Sequence, residues 1–267
     1  MSGRVLAIAE SDSSGGAGIQ ADIKTVLAFG GYAATAVAGM TAQNTRGIMG
    51  FQAADPDFVA QQIRVVLDDM GIDVIKTGLL GNESIINAVS DILDELQNED
   101  YKIVVDPCIV ARNGQPLLDM DTIATLKRRL LVRAHVLTPN RREAELLTGM
   151  TIKDLDDMRH ATEMMLTFGA EAVVLKGGQI TGTDVVDLVA TEDGEKIFES
   201  AVVQNDNTHG AGCTLAAGIA VCLAQGQGVF DAVENSLSFL NEAIRHAEEI
   251  GRGAGPVNHA YKIQALS

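Results

Sequence analysis

Short apolar runs rich in β-branched residues alternate along this chain with longer stretches whose apolar positions recur at helical spacing, the pattern of parallel strands joined by crossover helices. The clearest predicted strands are VLAIA (5–9), DVIKTG (73–78), KIVVD (102–106), HVLTP (135–139) and AVVLKG (172–177). Between them Ile85, Val89, Ile92 and Leu96 form one helical stripe, and Ile123, Leu126 and Leu130 another, so helices are expected to cover the sheet. Residues 32–54 read instead as two extended segments broken at Thr45-Arg46-Gly47, suited to an edge flap over a site. Residues 184–203 read as a hairpin around Glu192-Asp193-Gly194. From Gly210 two helical patterns run to about residue 249, and the glycine-rich GRGAGP leads into the tail. No internal repeat, low-complexity linker or charge block divides the 267 residues, so one domain over 1–267 is expected, with a mostly parallel α/β sheet.

Composition narrows the partners. A net charge of −16 with scattered basic residues argues against a nucleic-acid or anionic-membrane surface, each of which needs a positive footprint. A phosphate ligand must then find a local trap inside a repelling field. Cys108, Cys213 and Cys222 form neither a CxxC pair nor a disulfide-rich spacing, which points to a reducing compartment. With no signal segment and no apolar run long enough for a bilayer, a cytoplasmic location is expected.

In open parallel sheets ligands bind beyond the carboxyl ends of the strands. There the sequence places Glu10 and the SDSSGGAG segment, then Asp106, Asn140 and Lys176-Gly177-Gly178. In NTHGAGCTLAAGIAVCLA (207–224), Gly210 and Gly212 stand directly before a long apolar helix. Such glycines let backbone approach an anion, and the helix start offers positive potential where a phosphoryl group develops charge; a plain glycine-rich helix entry is the alternative. Cys213 falls in the first helical turn, where a thiolate is favoured and can take a proton from a substrate hydroxyl, although an isolated cysteine there is commonly inert. Cys222 is read as inert and Cys108, after Asp106-Pro107, as lining a pocket. Asn140 and Glu143, at i and i+3 of TPNRREAELL, suit a water-mediated magnesium site and equally a capping box. Lys176 meets a polyphosphate or is an ordinary strand-end lysine; Asp106 is a functional carboxylate or a turn cap. The convergence of Asp106, Asn140, Glu143, Lys176 and the 210–212 loop on one sheet edge favours the functional readings. Histidines 135, 160, 209, 246 and 259 lack metal-ligand spacing, and of these only His209 is near the chemistry. GxSxG, a strand-to-helix GxGxxG and the Walker pattern are all missing, so a kinase here binds ATP another way.

Taken in order, IAESDSSGGAGIQADIKT (8–25), TAQNTRG (41–47), IKTGLLGN (75–82), VVDP (104–107), TPNRREAELL (138–147), LKGG (175–178), NTHGAGCT (207–214) and GPVNH (255–259) resemble the hydroxymethylpyrimidine/phosphomethylpyrimidine kinases over nearly the whole chain. The resemblance implies a ribokinase-like three-layer α/β/α sandwich with a mostly parallel sheet and a small β flap. It also implies ATP-dependent phosphorylation of 4-amino-5-hydroxymethyl-2-methylpyrimidine and then of its monophosphate, in thiamine synthesis. Carried over by motif, Asp22 and Gln43 hold the pyrimidine, with Gly15, Ala17, Leu79 and Cys108 around it. Cys213 is the base, and Gly210, Ala211 and Gly212 form the anion hole. Lys176 meets the ATP phosphates beside Asn140, Glu143 and Thr208, and Asp106 with Glu143 organises Mg²⁺ and its waters. A homodimer is implied as well, and no fused thiamine-phosphate synthase domain is expected.

Three departures fall in the presumed pocket. The family usually has Gly where this chain has Glu10, Met where it has Leu79, and Val-Met where it has Cys108-Ile109. Leu79 nearly conserves volume. Glu10 adds length and a charge beside the substrate loop. A pyridoxal kinase of the same fold is the alternative within the reaction class, with Gln43 favouring the pyrimidine; a non-catalytic pyrimidine-binding protein is the alternative outside it.

Overall fold

The computed structural model describes residues 3–96, 101–111, 114–180, 182 and 184–264. Its first half runs β1 (Arg4–Asp12), α1 (Gly18–Ala28), β2 (Tyr32–Asn44), β3 (Gly47–Ala53), α2 (Pro56–Met70), β4 (Val74–Thr77), α3 (Glu83–Glu95), β5 (Lys102–Val105) and α4 (Met120–Arg129). Then follow β6 (Val136–Leu137), α5 (Arg141–Thr148), α6 (Leu155–Leu166), β7 (Ala172–Lys176), β8 (Asp184–Thr191), β9 (Gly194–Ala201), α7 (Ala211–Ala224), α8 (Val229–Arg245) and α9 (Tyr261–Gln264). One nine-stranded sheet takes the order β3-β2-β1-β4-β5-β6-β7-β8-β9. From β2 to β7 neighbours are parallel; β3, β8 and β9 add antiparallel edges.

Strand alternation sorts the core into two layers. Leu6, Ile8, Ile75, Val105 and Leu137 point to the face covered by α2 to α6, whereas Val5, Val74, Val104 and Val136 point to the face covered by α1, α7 and α8. The predicted stripes hold: Ile85, Val89 and Ile92 are buried on α3, and Ile123 and Leu126 on α4, with Leu130 buried just beyond it. α7 differs from these amphipathic helices. Residues 213–223 are all buried, because the helix is apolar all round and lies between the sheet and α8.

Two details depart from the sequence reading. β1 runs on through Glu10, Ser11 and Asp12, which keep pairing with Gly39, Met40 and Thr41 beyond a bulge at Ala9/Glu10. Glu10 is therefore held on a strand and not in the loop that the sequence suggested. The 73–78 and 135–139 runs shorten to Val74–Thr77 and Val136–Leu137. The flap forms as expected: β2 runs out of the central sheet and turns back at Thr45-Arg46 into the edge strand β3. Its tip is braced from the far end of the chain, where the Arg252 and Gly253 amides donate to Thr45 Oγ1 at 3.2 and 3.1 Å. The 184–203 hairpin forms as expected, as β8 and β9. Among the described residues no helix is long and apolar enough to cross a membrane.

Candidate active site

The ends of β1, β4, β5, β6 and β7 and the start of α7 surround a cavity of about 630 Å³. Asp12 organises its near wall. The carboxylate accepts from the amides of Ser14, Gly16 and Ala17 at 2.8 to 3.0 Å, from Ser14 Oγ, and lies 2.8 Å from His209 Nε2. Burial alone would raise its carboxyl, but these bonds outweigh burial and hold it well below the usual carboxylate range. His209 thus ties the 12–17 loop to the loop before α7, and its Nε2 also lies 3.4 Å from the Gln43 amide nitrogen. The two loops interlock at Gly210, whose φ is +83°; a Cβ there would sit 1.7 Å from the Gly16 carbonyl oxygen, so no side chain fits.

Helix geometry leaves the Gly212 and Cys213 amides at the open end of α7 without intrahelical partners. Over this turn sit a cation and a carboxylate: a Cβ built on Gly212 would lie 3.5 Å from Lys176 Nζ and 3.7 Å from Asp106 Oδ2. Lys176 and Asp106 are themselves 3.7 Å apart. Burial works against the Lys176 charge, yet Asp106, Glu143 and the nearby thiols outweigh it and hold the ammonium above its ordinary range. The other contacts at Asp106 are long, with Cys108 Sγ and Thr138 Oγ1 each at 3.4 Å.

Cys213 is buried at the cavity floor, and its sulfur, that of Cys108 and an Asp106 oxygen lie within 4.8 Å of one another. Cys108 has φ +45°, an unusual backbone state for a residue with a side chain. Its hydrogen bond with Cys213, burial and the Asp106 charge together raise its pKa well above the ordinary thiol value, so it stays protonated. Cys222 is fully buried and its thiol is pushed up by burial, as an inert core cysteine should be.

The capping box on α5 is present: Asn140 Oδ1 accepts from the Glu143 amide at 3.0 Å and Glu143 Oε2 from the Asn140 amide at 2.9 Å. Glu143 Oε1 accepts from the Ile109 amide at 3.0 Å. Burial raises this carboxyl to about 7, with Lys176 pulling it down and Asp106 pushing it up. Both oxygens are thus engaged by backbone amides, which fits Glu143 to a metal's water shell better than to the metal directly. Asp106, with only long contacts, is free to face the ion itself. For magnesium the carboxylates are the matching donors and the two thiols are not.

Of the residues singled out from sequence, Ala17, Gln43, Leu79, Asp106, Cys108, Asn140, Glu143, Lys176, Thr208, Gly210, Ala211, Gly212 and Cys213 all line this cavity. Gly15 and Asp22 do not. Gly15 forms a turn at φ +77° and accepts from Lys24 Nζ at 2.7 Å. Asp22 is neither a ring contact nor a helix-surface acid. It is fully buried behind the cavity, where Lys76 Nζ donates to both its oxygens at 2.9 and 3.0 Å, because an ammonium projecting from β4 into the core requires a counter-ion. Sequence reasoning missed Lys76, the organising role of Asp12 and the depth of Glu10. The signals were in the quoted segments but had no partner to give them meaning.

The phosphomethylpyrimidine kinase family profile matches residues 12–258. The hydroxymethylpyrimidine/phosphomethylpyrimidine kinase of Bacillus subtilis is 40% identical, the alignment covering 99% of this chain and 97% of that one. The thiamine biosynthesis bifunctional protein ThiED of Geobacter sulfurreducens is 44% identical over 96% of this chain, which spans about half (52%) of that longer relative. In three dimensions an ADP complex of Bacillus subtilis pyridoxal kinase superposes with a TM-score of 0.90 at 32% identity, covering 98% of this chain and 99% of that one. The matched span begins at the Asp12 that organises one wall of the cavity and ends beyond the loop that braces the flap, and on that evidence the chain belongs to the phosphomethylpyrimidine kinase family, with its ribokinase-like fold.

Proposed function

We propose that this chain transfers the γ-phosphoryl group of ATP to 4-amino-5-hydroxymethyl-2-methylpyrimidine, and then to the resulting monophosphate. The observation that carries the reading is the stacking of Lys176 and Asp106 over the first turn of α7, with Cys213 in that turn and Gln43 across the same cavity. The Gln43 amide donates to a ring nitrogen and, with Ala17 and Leu79, positions the hydroxymethyl group toward Cys213. The Cys213 thiolate takes the hydroxyl proton as the oxygen attacks phosphorus. The Gly212 and Cys213 amides and Lys176 meet the charge spread over the transferring group, so that positioning and fixed dipoles do most of the work. Asn140, Glu143 and Thr208 contact the nucleotide. Asp106 directly, and Glu143 through water, would hold Mg²⁺, which would supply positive charge to offset that of the phosphates in a protein whose own net charge is −16. The ADP complex of the pyridoxal kinase relative supports an adenine nucleotide as donor. The protein acts in the cytoplasm as a homodimer.

The same structural likeness favours a second reading, pyridoxal phosphorylation. A coupled ADP-release assay comparing the hydroxymethylpyrimidine, its monophosphate and pyridoxal decides between them. The expected result is a kcat/KM for the pyrimidines at least about tenfold above that for pyridoxal. The reverse order transfers the assignment to pyridoxal, and no turnover with any of the three leaves a binding protein.

A further inference from the structure

Glu10 stands at the end of β1, lines the cavity with Ala17, Gln43 and Leu79, and is 6% exposed. Its Oε2 is buried and meets no hydrogen-bond partner among the described residues. A buried carboxyl oxygen without a partner is costly, and a ligand that supplies one removes the cost. The charged and titratable groups around it are Lys76 on β4, Asp22 on α1, and Asp106 and Cys108 beyond β5. Lys76 does not neutralise Glu10, because its ammonium is committed to both oxygens of Asp22. Burial raises the Glu10 carboxyl to about 8; Lys76 and a backbone bond pull it down, while Asp22 and Asp106 push it up. At neutral pH Glu10 is therefore an uncharged acid, not the added charge that the sequence suggested. It presents an O–H donor and a carbonyl acceptor side by side.

That pair of groups has a specific complement. In a 4-aminopyrimidine a ring nitrogen lies next to the carbon bearing the amino group, so the edge presents an acceptor beside a donor at the spacing of the two carboxyl oxygens. We propose that Glu10 determines substrate choice by reading this edge, its hydroxyl donating to the ring nitrogen and its carbonyl oxygen accepting from the amino group. The pair rests on the pyrimidine reading given above; the ring has one such acceptor–donor edge, and with Glu10 on it the Gln43 amide is left to donate to the other ring nitrogen. Pyridoxal, whose ring nitrogen has no amino neighbour, satisfies one half of Glu10 and leaves the other unpaired. One proton is shared in the pair, so binding requires Glu10 protonated when the free ring is neutral.

The test uses 4-amino-2-methylpyrimidine, which has no hydroxyl to phosphorylate, and 2-methylpyrimidine, which also lacks the amino group, titrated calorimetrically into the full chain. The wild type is expected to bind the amino probe at least about tenfold more tightly, the discrimination usual when a site's polar groups would otherwise be left unpaired. Glu10→Ala removes the preference. Glu10→Gln keeps most of it, because an amide also offers a donor beside an acceptor. Above pH about 8 wild-type affinity for the amino probe falls toward about tenfold per pH unit, while the Gln variant stays flat. Unchanged binding of a non-hydrolysable ATP analogue shows that each variant is folded; if Glu10→Ala fails that check, the wild-type pH profile and the Gln variant decide. Equal binding of both probes by the wild type, or a preference that survives in Glu10→Ala, overturns the proposal. Normal turnover of the hydroxymethylpyrimidine with no Glu10 effect leaves the kinase reading standing and removes Glu10. Selective binding through Glu10 without turnover does the opposite.

Discussion

Two lysine–carboxylate pairs sit at the ends of parallel strands in nearly the same local sequence, IKTG at 75–78 and LKGG at 175–178. Lys76 and Asp22 are each 0% exposed in their side chains and meet at 2.9 Å with both carboxylate oxygens engaged. Lys176 and Asp106 are 19% and 4% exposed, stand 3.7 Å apart, and line the cavity. The first pair is closed: burial works against the Lys76 charge, but Asp22 and the more distant Cys213, Asp106 and Cys108 outweigh it and hold the ammonium above its ordinary range. The second is open, with donor capacity left on the ammonium for a phosphate. The same two charges thus form a strut where they are sealed and leave a donor facing the cavity where they are held slightly apart.

The largest expected effect tests the strut. Lys76→Met leaves a buried carboxylate without its partner and should cost about 3–5 kcal/mol of unfolding free energy, read from denaturant midpoints. Adding Asp22→Leu to that variant should recover most of the loss, since removing both charges is far cheaper than orphaning one. A Lys76→Met protein as stable as wild type would erase the distinction between the pairs. Next, Lys176→Met should lower kcat/KM by about 10²–10³-fold, the range for a lost transition-state charge contact. Its stability should change by only about 1 kcal/mol, because the site borders the cavity. The smallest effect sharpens the open pair. Glu143→Gln should raise the Mg²⁺ concentration for half-maximal activity by about tenfold. Because the Glu143 carboxyl is raised to about 7, the wild-type magnesium requirement should climb as pH falls through that value, while that of the Gln variant stays level.

The alternation of strand and helix patterns was enough to read the sheet, its cover and both antiparallel additions, since period-2 and period-3.6 burial are local properties of the chain. The Lys176 side of the cavity was legible for a related reason. Gly210, Gly212, Lys176, Asp106 and Asn140 each stand at or just past the end of a strand or at the start of a helix, and the topology of an open sheet brings such positions together. What stayed hidden depends on depth and on partners distant in sequence. Asp22 and Lys76 are separated by 54 positions, His209 and Asp12 by 197, and nothing local to either residue announces the other. Glu10 looks like a surface charge in a polar loop because the sequence does not show the strand continuing past its bulge. A carboxyl's charge is set by its surroundings, and those become visible only once the chain is folded.

α7 is buried along its length and its first turn carries Gly212 and Cys213, so its residues are core and scaffold at once. At Gly218 an added Cβ would come within 2.8 Å of Ser236 Oγ, and α8 would have to shift to admit it. For neutral drift, or for an engineer shuffling apolar residues, this helix offers little room: a swap that merely repacks other interiors would here tilt the turn proposed to receive phosphate. Variation that leaves catalysis untouched belongs on α2, α3, α4 and α6 of the opposite face. A library directed at those helices can therefore seek stability without loss of activity, whereas α5 carries Glu143 and shares the constraint on α7.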